Sequence, residues 1–210
     1  MPSDLDVDRD ITALYRADVS PQMVDVPDLP FLTIDGHGDP NTSRKYQHAV
    51  QALFTLSYSL KFAIKRSGGA DHKVGPLEGL WWAADMRVFD LGDKSAWDWT
   101  AMIRQPAEVT PDLLRHVIDD VVSKKQLPAL DQVRFESFTE GRAAQILHIG
   151  PYSAEGPTIA RLHAFIAEHG FAFDHADSHR QKHHEIYLGD PRRAAPERLR
   201  TIIRQPVISH

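Results

Sequence analysis

The chain has 210 residues, 42% of them hydrophobic and 25% charged, the balance of a globular protein with enough length for a buried core and not of a disordered one. A formal net charge of −5, the absence of any apolar run of membrane-spanning length and the acidic N-terminus MPSDLDVDRD argue against a nucleic-acid face, a membrane partner and a secretory signal. There is no cysteine, which excludes disulfides and thiolate metal sites and makes a cytoplasmic setting the expectation.

Residues 1–23 read as an N-terminal extension. The first predicted strand is PFLTIDGHG (30–38), closed by glycines. SRKYQHAVQALFTLSYSLKFAIKRSGG follows as a long helix with Tyr46, Val50, Leu53, Ser57, Leu60 and Ile64 near one face, stopped at Gly68–Gly69. LEGLWWAAD and WDWTAMIRQP are then two strands. TPDLLRHVIDDVVSKK is a helix with a threonine cap and proline at its first position, and QVRFESF adds a short strand. RAAQILHIGPYS (142–153) alternates as a strand does and turns at Gly150–Pro151. GPTIARLHAFIAEHGF stripes Ile159, Leu162, Phe165 and Ile166 along a helix. HHEIYLGDP and LRTIIRQP close the chain as strands.

The quartet Ile103–Pro106 reappears as Ile203–Pro206. The residues ahead of each copy run in the same order, strand, helix, strand, strand, over about 30–106 and about 142–206. The expected fold is therefore α+β: a tandem βαββ repeat whose strands form an antiparallel sheet with helices on one side. A ligand cleft is expected between the pseudo-symmetric halves.

Period-2 geometry puts His183, Glu185 and Tyr187 on one face of their strand, and Ile186 and Leu188 on the other. If the apolar pair meets the helices, Glu185 and Tyr187 look into the cleft. A carboxylate among aromatic walls is a competent general base or an attractor of cations; the bland alternative is a solvated surface glutamate. Trp81 and Trp82 must point to opposite faces. Aligning Asp85 with Asp190 sets Trp82 opposite Tyr187, making Trp82 the cleft residue, with Glu78 on its face. Any single tryptophan is more often core. Four within 19 positions suit a flat aromatic ligand or a cation held over ring faces, and Trp99 joins the ligand-binding candidates. Tyr152, at the strand-to-helix turn, can orient a carbonyl or cap the turn. Tyr58 on the long helix and His37 between two glycines are weaker candidates, Tyr58 also fitting core packing. The histidine-rich run HADSHRQKHHE lacks HExxH and passes from loop into strand, so its spacing does not converge on a metal. There is no GxSxG elbow and no phosphate loop. No metal and no cofactor are expected.

The phrases PLEGLWW (76–82), WDWTAMIRQP (97–106), HIGPYSAEGPTI (148–159) and KHHEIYLGDPRR (182–193) resemble the GyrI-like small-molecule-binding family, in its stand-alone bacterial form, over 24–207. The resemblance implies paired βαββ modules around an aromatic pocket. It implies a pocket glutamate, here Glu185, that receives cationic aromatic ligands in some members. In other members that glutamate opens the cyclopropane of DNA-alkylating compounds. About 20 residues precede the module, so a transcriptional role is not expected. The leading expectation is binding and hydrolysis of a hydrophobic aromatic electrophile, with Glu185 activating water. The alternatives are a binder or sensor of amphipathic cations, and a gyrase-inhibitor-like interaction protein.

Overall fold

The computed structural model of the protein describes residues 11–83, 94–172 and 182–209. The fold is α+β, with antiparallel strand pairing throughout, and it divides into two compact units, Asp28–Phe138 and Met1–Pro27 with Thr139–His210.

In the unit Asp28–Phe138 the sheet is formed by β1 (Gln22–His37, from Asp28 onward), β2 (Leu77–Trp82) and β3 (Asp98–Arg104), with β3 in the middle. β1 begins well before residue 30, where the sequence suggested. Helix α1 (Arg44–Arg66) starts because Ser43 accepts a hydrogen bond from the Tyr46 amide, 3.3 Å. It ends with Lys65 and Arg66 in the last turn, where positive charge suits the helix dipole, and with Gly68 at φ 88°. Its inner stripe is Ala49, Ala52, Leu53, Leu56, Ser57, Leu60 and Ile64. Helix α2 (Pro111–Lys124), capped by Thr110 on the Leu113 amide, packs beside it.

Register decides which sheet face α1 covers. Gly36 is the cross-strand partner of Trp99, and Trp99 that of Trp81. Both indoles meet Tyr46 of α1, at 5.0 and 5.9 Å between ring centres. Gln105 on the same side donates to Ser57 of α1. Trp82, Leu80 and Glu78 therefore share the face turned away from α1, with Asp98, Thr100, Met102, Asp35 and His37.

In the other unit, β7 (Arg200–Pro206) lies between β4 (Arg134–Ile149, from Thr139 onward) and β6 (His183–Tyr187). QVRFESF and RAAQILHI, two separate strands by their patterning, run together as β4 around Gly141 at φ 75°. Helix α3 (Gly156–Glu168) buries Leu162 and Ile166 against Ala144, Ile146 and Ile203. The short strands β5 (Phe171–Ala172) and β8 (Ile208–Ser209) pair with each other. The opposite sheet face, Leu147, Ile186 and Ile202, is packed by Tyr15, Ala17 and Leu188.

Here the sequence reading needs correction. Glu185 is the cross-strand partner of Ile203 and Tyr187 of Thr201, so both lie on the α3 side. Ile186 meets the N-terminal segment and not a helix. Both faces of this sheet are covered, so apolar alternation alone carries no information about which face the helix takes.

Both IRQP quartets end central strands, yet they do not stand at matching places. Gly38 donates to the Trp97 carbonyl and Gly150 to that of Leu199. Ile103 is six residues past Trp97, whereas Ile203 is four past Leu199. An offset of two preserves the face and so hides itself in the pattern.

Candidate functional site

The groups with chemistry converge on β6 and the turn that follows β4. Glu185, 9% exposed, is gripped at both oxygens from its own strand. The Tyr187 hydroxyl donates to Oε2 at 2.6 Å, and His183 Nε2 lies 3.1 Å from Oε1. This follows from strand geometry, since residues two apart rise on the same face. His183 is itself 7% exposed.

Tyr152 sits in the short 3-10 turn Tyr152–Ala154, and its ring stands edge-on to Tyr187, 5.4 Å between centres and 73° between planes. That turn is braced by His148. Its Nε2 lies 3.3 Å from the Pro151 carbonyl, and its Nδ1 3.0 Å from the Thr158 hydroxyl on α3. Gly150, at φ 141°, gives the chain the bend that no other residue adopts readily. A Cβ there would stand 3.2 Å from the same histidine. Burial, together with the negative charges of Glu155, Glu185 and Asp190, pushes the Tyr152 phenol up to about 12. Tyr152 therefore stays protonated at any physiological pH. Its hydroxyl has no hydrogen-bond partner among the described residues, which leaves it available as a donor to a ligand oxygen.

Glu155, buried at the start of α3, offers its carbonyl to the Thr158 and Ile159 amides. Asp190, in the turn after β6, is held down to about 2 by hydrogen bonds from the Arg192 side chain and amide. The negative charges of Glu155, Glu185 and Asp190 thus act on one tyrosine. The arrangement can hold a cation, or take a proton from water beside a bound electrophile.

On the reverse of β6, His184 Nδ1 lies 2.8 Å from Glu140 Oε1, and Arg204 donates to Glu140 Oε2 at 3.0 Å. Burial pushes the Glu140 carboxyl up, but His184 and Arg204 outweigh it and hold it near 2. Arg204 also donates to Gln145 and to the Leu14 carbonyl.

Among the sequence candidates, Glu185, Tyr187 and Tyr152 come together in this unit. Glu78, 1% exposed, shares a face with the partly exposed Trp82 in the unit Asp28–Phe138. His37 is on that face and pairs with Asp98 at 2.9 Å in the open. Trp82 faces Asp98 across the strands and lies away from α1, while Tyr187 lies on the α3 side. The two do not occupy corresponding faces, and Asp85, on which that match was based, is outside the described residues. Trp99 is wholly buried against Tyr46, with its ring across Gly36; it is a packing residue of the α1 side and does not join Trp82. Tyr58 is 49% exposed on the outer side of α1, stacked on Phe54, and so reaches neither the sheet nor its core. His175, Asp177 and His179 of the histidine-rich run are outside the described residues, among which no three His, Cys, Asp or Glu side chains are grouped to hold a metal.

His183, Glu155, Asp190 and the bracing His148 went unassigned as site residues by sequence reasoning. His183 was visible two positions from Glu185, but its crowd of histidines drew attention to metals. Glu155 had no signal beyond its place at a helix start.

No helix among the described residues is long and apolar enough to cross a membrane. Comparison with curated proteins gave no match. Among solved structures, a conserved protein from Listeria innocua is 38% identical, with a TM-score of 0.87 over 95% of this chain and 98% of that one. A hydrolase from Listeria innocua is 36% identical, with a TM-score of 0.83 over 95% and 98% of the two chains. The hydrolase encoded by lin2189 from the same organism is 38% identical, with a TM-score of 0.84 over 95% and 97%. The C-terminal domain of EcmrR, 10% identical with a TM-score of 0.54, shares the fold. The family model of the GyrI-like small molecule binding domain matches residues 20–208, and the chain belongs to that family.

Proposed function

We propose that this protein binds hydrophobic aromatic electrophiles at the site built on Glu185 and hydrolyses them, protecting the cell that makes it. The observation that carries this reading is the near-buried Glu185 carboxylate, fixed at both oxygens beside two tyrosine rings. The similarity to hydrolases at 36–38% identity over 95% of the chain supports a catalytic role. In a cyclopropane conjugated to a carbonyl, water bonds to the ring carbon while a C–C bond breaks. The released electron pair moves to the carbonyl oxygen. Glu185 supplies the basicity that takes the proton from water, and the protonated Tyr152 donates to the oxygen gaining charge. A purely binding role for amphipathic cations is the second reading, with the Glu185 carboxylate as counter-ion beside the Tyr152 and Tyr187 rings.

The two units are read as copies of one βαββ module. Their strand orders, β1-β3-β2 and β4-β7-β6, support this.

The test is incubation of a cyclopropane-bearing aromatic compound with substoichiometric protein. Repeated turnover to a product heavier by one water is expected, and Glu185→Gln should lower it by about 10²-fold or more with neutral-ligand affinity little changed. Stoichiometric binding without product would leave the cation-binding reading standing. Full turnover by the Gln variant would remove Glu185 from the chemistry.

A further inference from the structure

We infer that the atom accepting the proton in this site is Nδ1 of His183, with Glu185 acting through it. The inference rests on the hydrolytic reading above and names the route by which Glu185 makes water reactive. An ionised carboxylate has only acceptors, so the 3.1 Å contact between His183 Nε2 and Glu185 Oε1 requires the hydrogen on Nε2. In the neutral ring this leaves Nδ1 as a lone-pair acceptor. Nδ1 has no hydrogen-bond partner among the described residues.

The other oxygen of Glu185 takes the Tyr187 hydroxyl at 2.6 Å, so the carboxylate is itself held in place. Tyr187, Glu185 and His183 thus form one hydrogen-bonded chain along a single strand face. A hydroxyl orients a carboxylate, the carboxylate orients an imidazole, and the far nitrogen of the imidazole has no hydrogen-bond partner among the described residues. This is the logic by which an orienting acid fixes the tautomer of a histidine base and stabilises the imidazolium that forms.

The step balances simply. The oxygen of water bonds to the electrophilic carbon, one proton of that water passes to His183 Nδ1, and the strained C–C bond breaks. Its electron pair goes to the conjugated oxygen. The imidazolium later returns its proton to that oxygen through solvent, so water is added and nothing is oxidised.

His183→Gln separates this role from simple positioning, because the glutamine amide still donates to Glu185 but cannot take up a proton. Turnover of a cyclopropane-bearing aromatic compound is expected to fall by about 10²-fold or more, with KM within about threefold of the parent. Turnover within threefold of the parent, while Glu185→Gln is inactive, would show that Glu185 meets water directly and would overturn the inference. Nitrogen-15 spectra of histidine-labelled parent protein provide a readout that needs no activity and no variant. A hydrogen on Nε2 and none on Nδ1 is expected, and a hydrogen on Nδ1 would overturn the inference. If the parent turns over nothing, the hydrolase reading fails, and the tautomer still decides the arrangement of the pair.

Discussion

Gly36 shows how far one missing side chain sets local structure. A Cβ at this position would stand 2.0 Å from the Trp99 ring, so the indole lies where only glycine leaves room. Gly36→Ala is expected to destabilise the protein by about 1–3 kcal/mol, as overpacking does, seen as a lower denaturant midpoint at unchanged slope. A midpoint equal to the parent's would mean the ring moves without cost. At the same scale, Glu185, Tyr187 and His183 owe their contact to spacing alone: residues two apart in a strand. That contact was present in HHEIY as written, although its hydrogen-bond directions were not.

At the scale of elements, β2 divides its two tryptophans between environments. Trp81 is 3% exposed against Tyr46 and Trp97, whereas Trp82 is partly exposed on the other face. Trp99, on β3, is wholly buried. Trp97 is partly exposed as well, so acrylamide should quench emission that Trp82→Phe reduces, while Trp99→Phe should leave the amount of quenchable emission unchanged. A larger loss from the Trp99 variant would reverse the faces assigned to β2 and β3. Element boundaries were also readable where caps are strong: Ser43 and Thr110 start α1 and α2, and Gly68 follows the end of α1. The length of β4 was not, because Gly141 reads as a break in sequence yet is accommodated inside a strand at φ 75°.

At the scale of the whole molecule, the N-terminal segment ahead of the family match is part of the fold. The carbonyls of Leu14, Arg16 and Asp18 accept from Arg204, Gln145 and the Leu147 amide, while Tyr15 and Ala17 pack the sheet between them. Beneath lies the buried Glu140 with His184 and Arg204. Its carboxyl is shifted from an ordinary 4.5 to about 2 in the folded protein. A depressed carboxyl contributes stability that is fully present above the unfolded value and lost as protons bind. The melting temperature should hold above pH 4.5 and drop as pH falls from there toward about 2. Glu140→Gln should flatten that drop and cost about 3–5 kcal/mol at neutral pH, because it leaves buried positive charge without its counter-charge. A variant as stable as the parent, with the same acid profile, would mean the network carries no weight.

The sequence by itself determined the order of the three long helices and the strands β1, β2, β3, β6 and β7, the α+β class, the resemblance to the GyrI-like family and the shared face of His183, Glu185 and Tyr187. These follow from local rules: period, caps, turns and alternation. Only tertiary structure decided which sheet face each helix covers, and with it the burial of Trp99, the outward position of Tyr58 and the α3-side position of Glu185. Alternation says that neighbours differ, and it says nothing about which neighbour is inside. In the unit carrying Glu185 both faces are apolar and both are covered, one by α3 and one by the N-terminal segment. The choice between them depends on contacts between residues far apart in the chain.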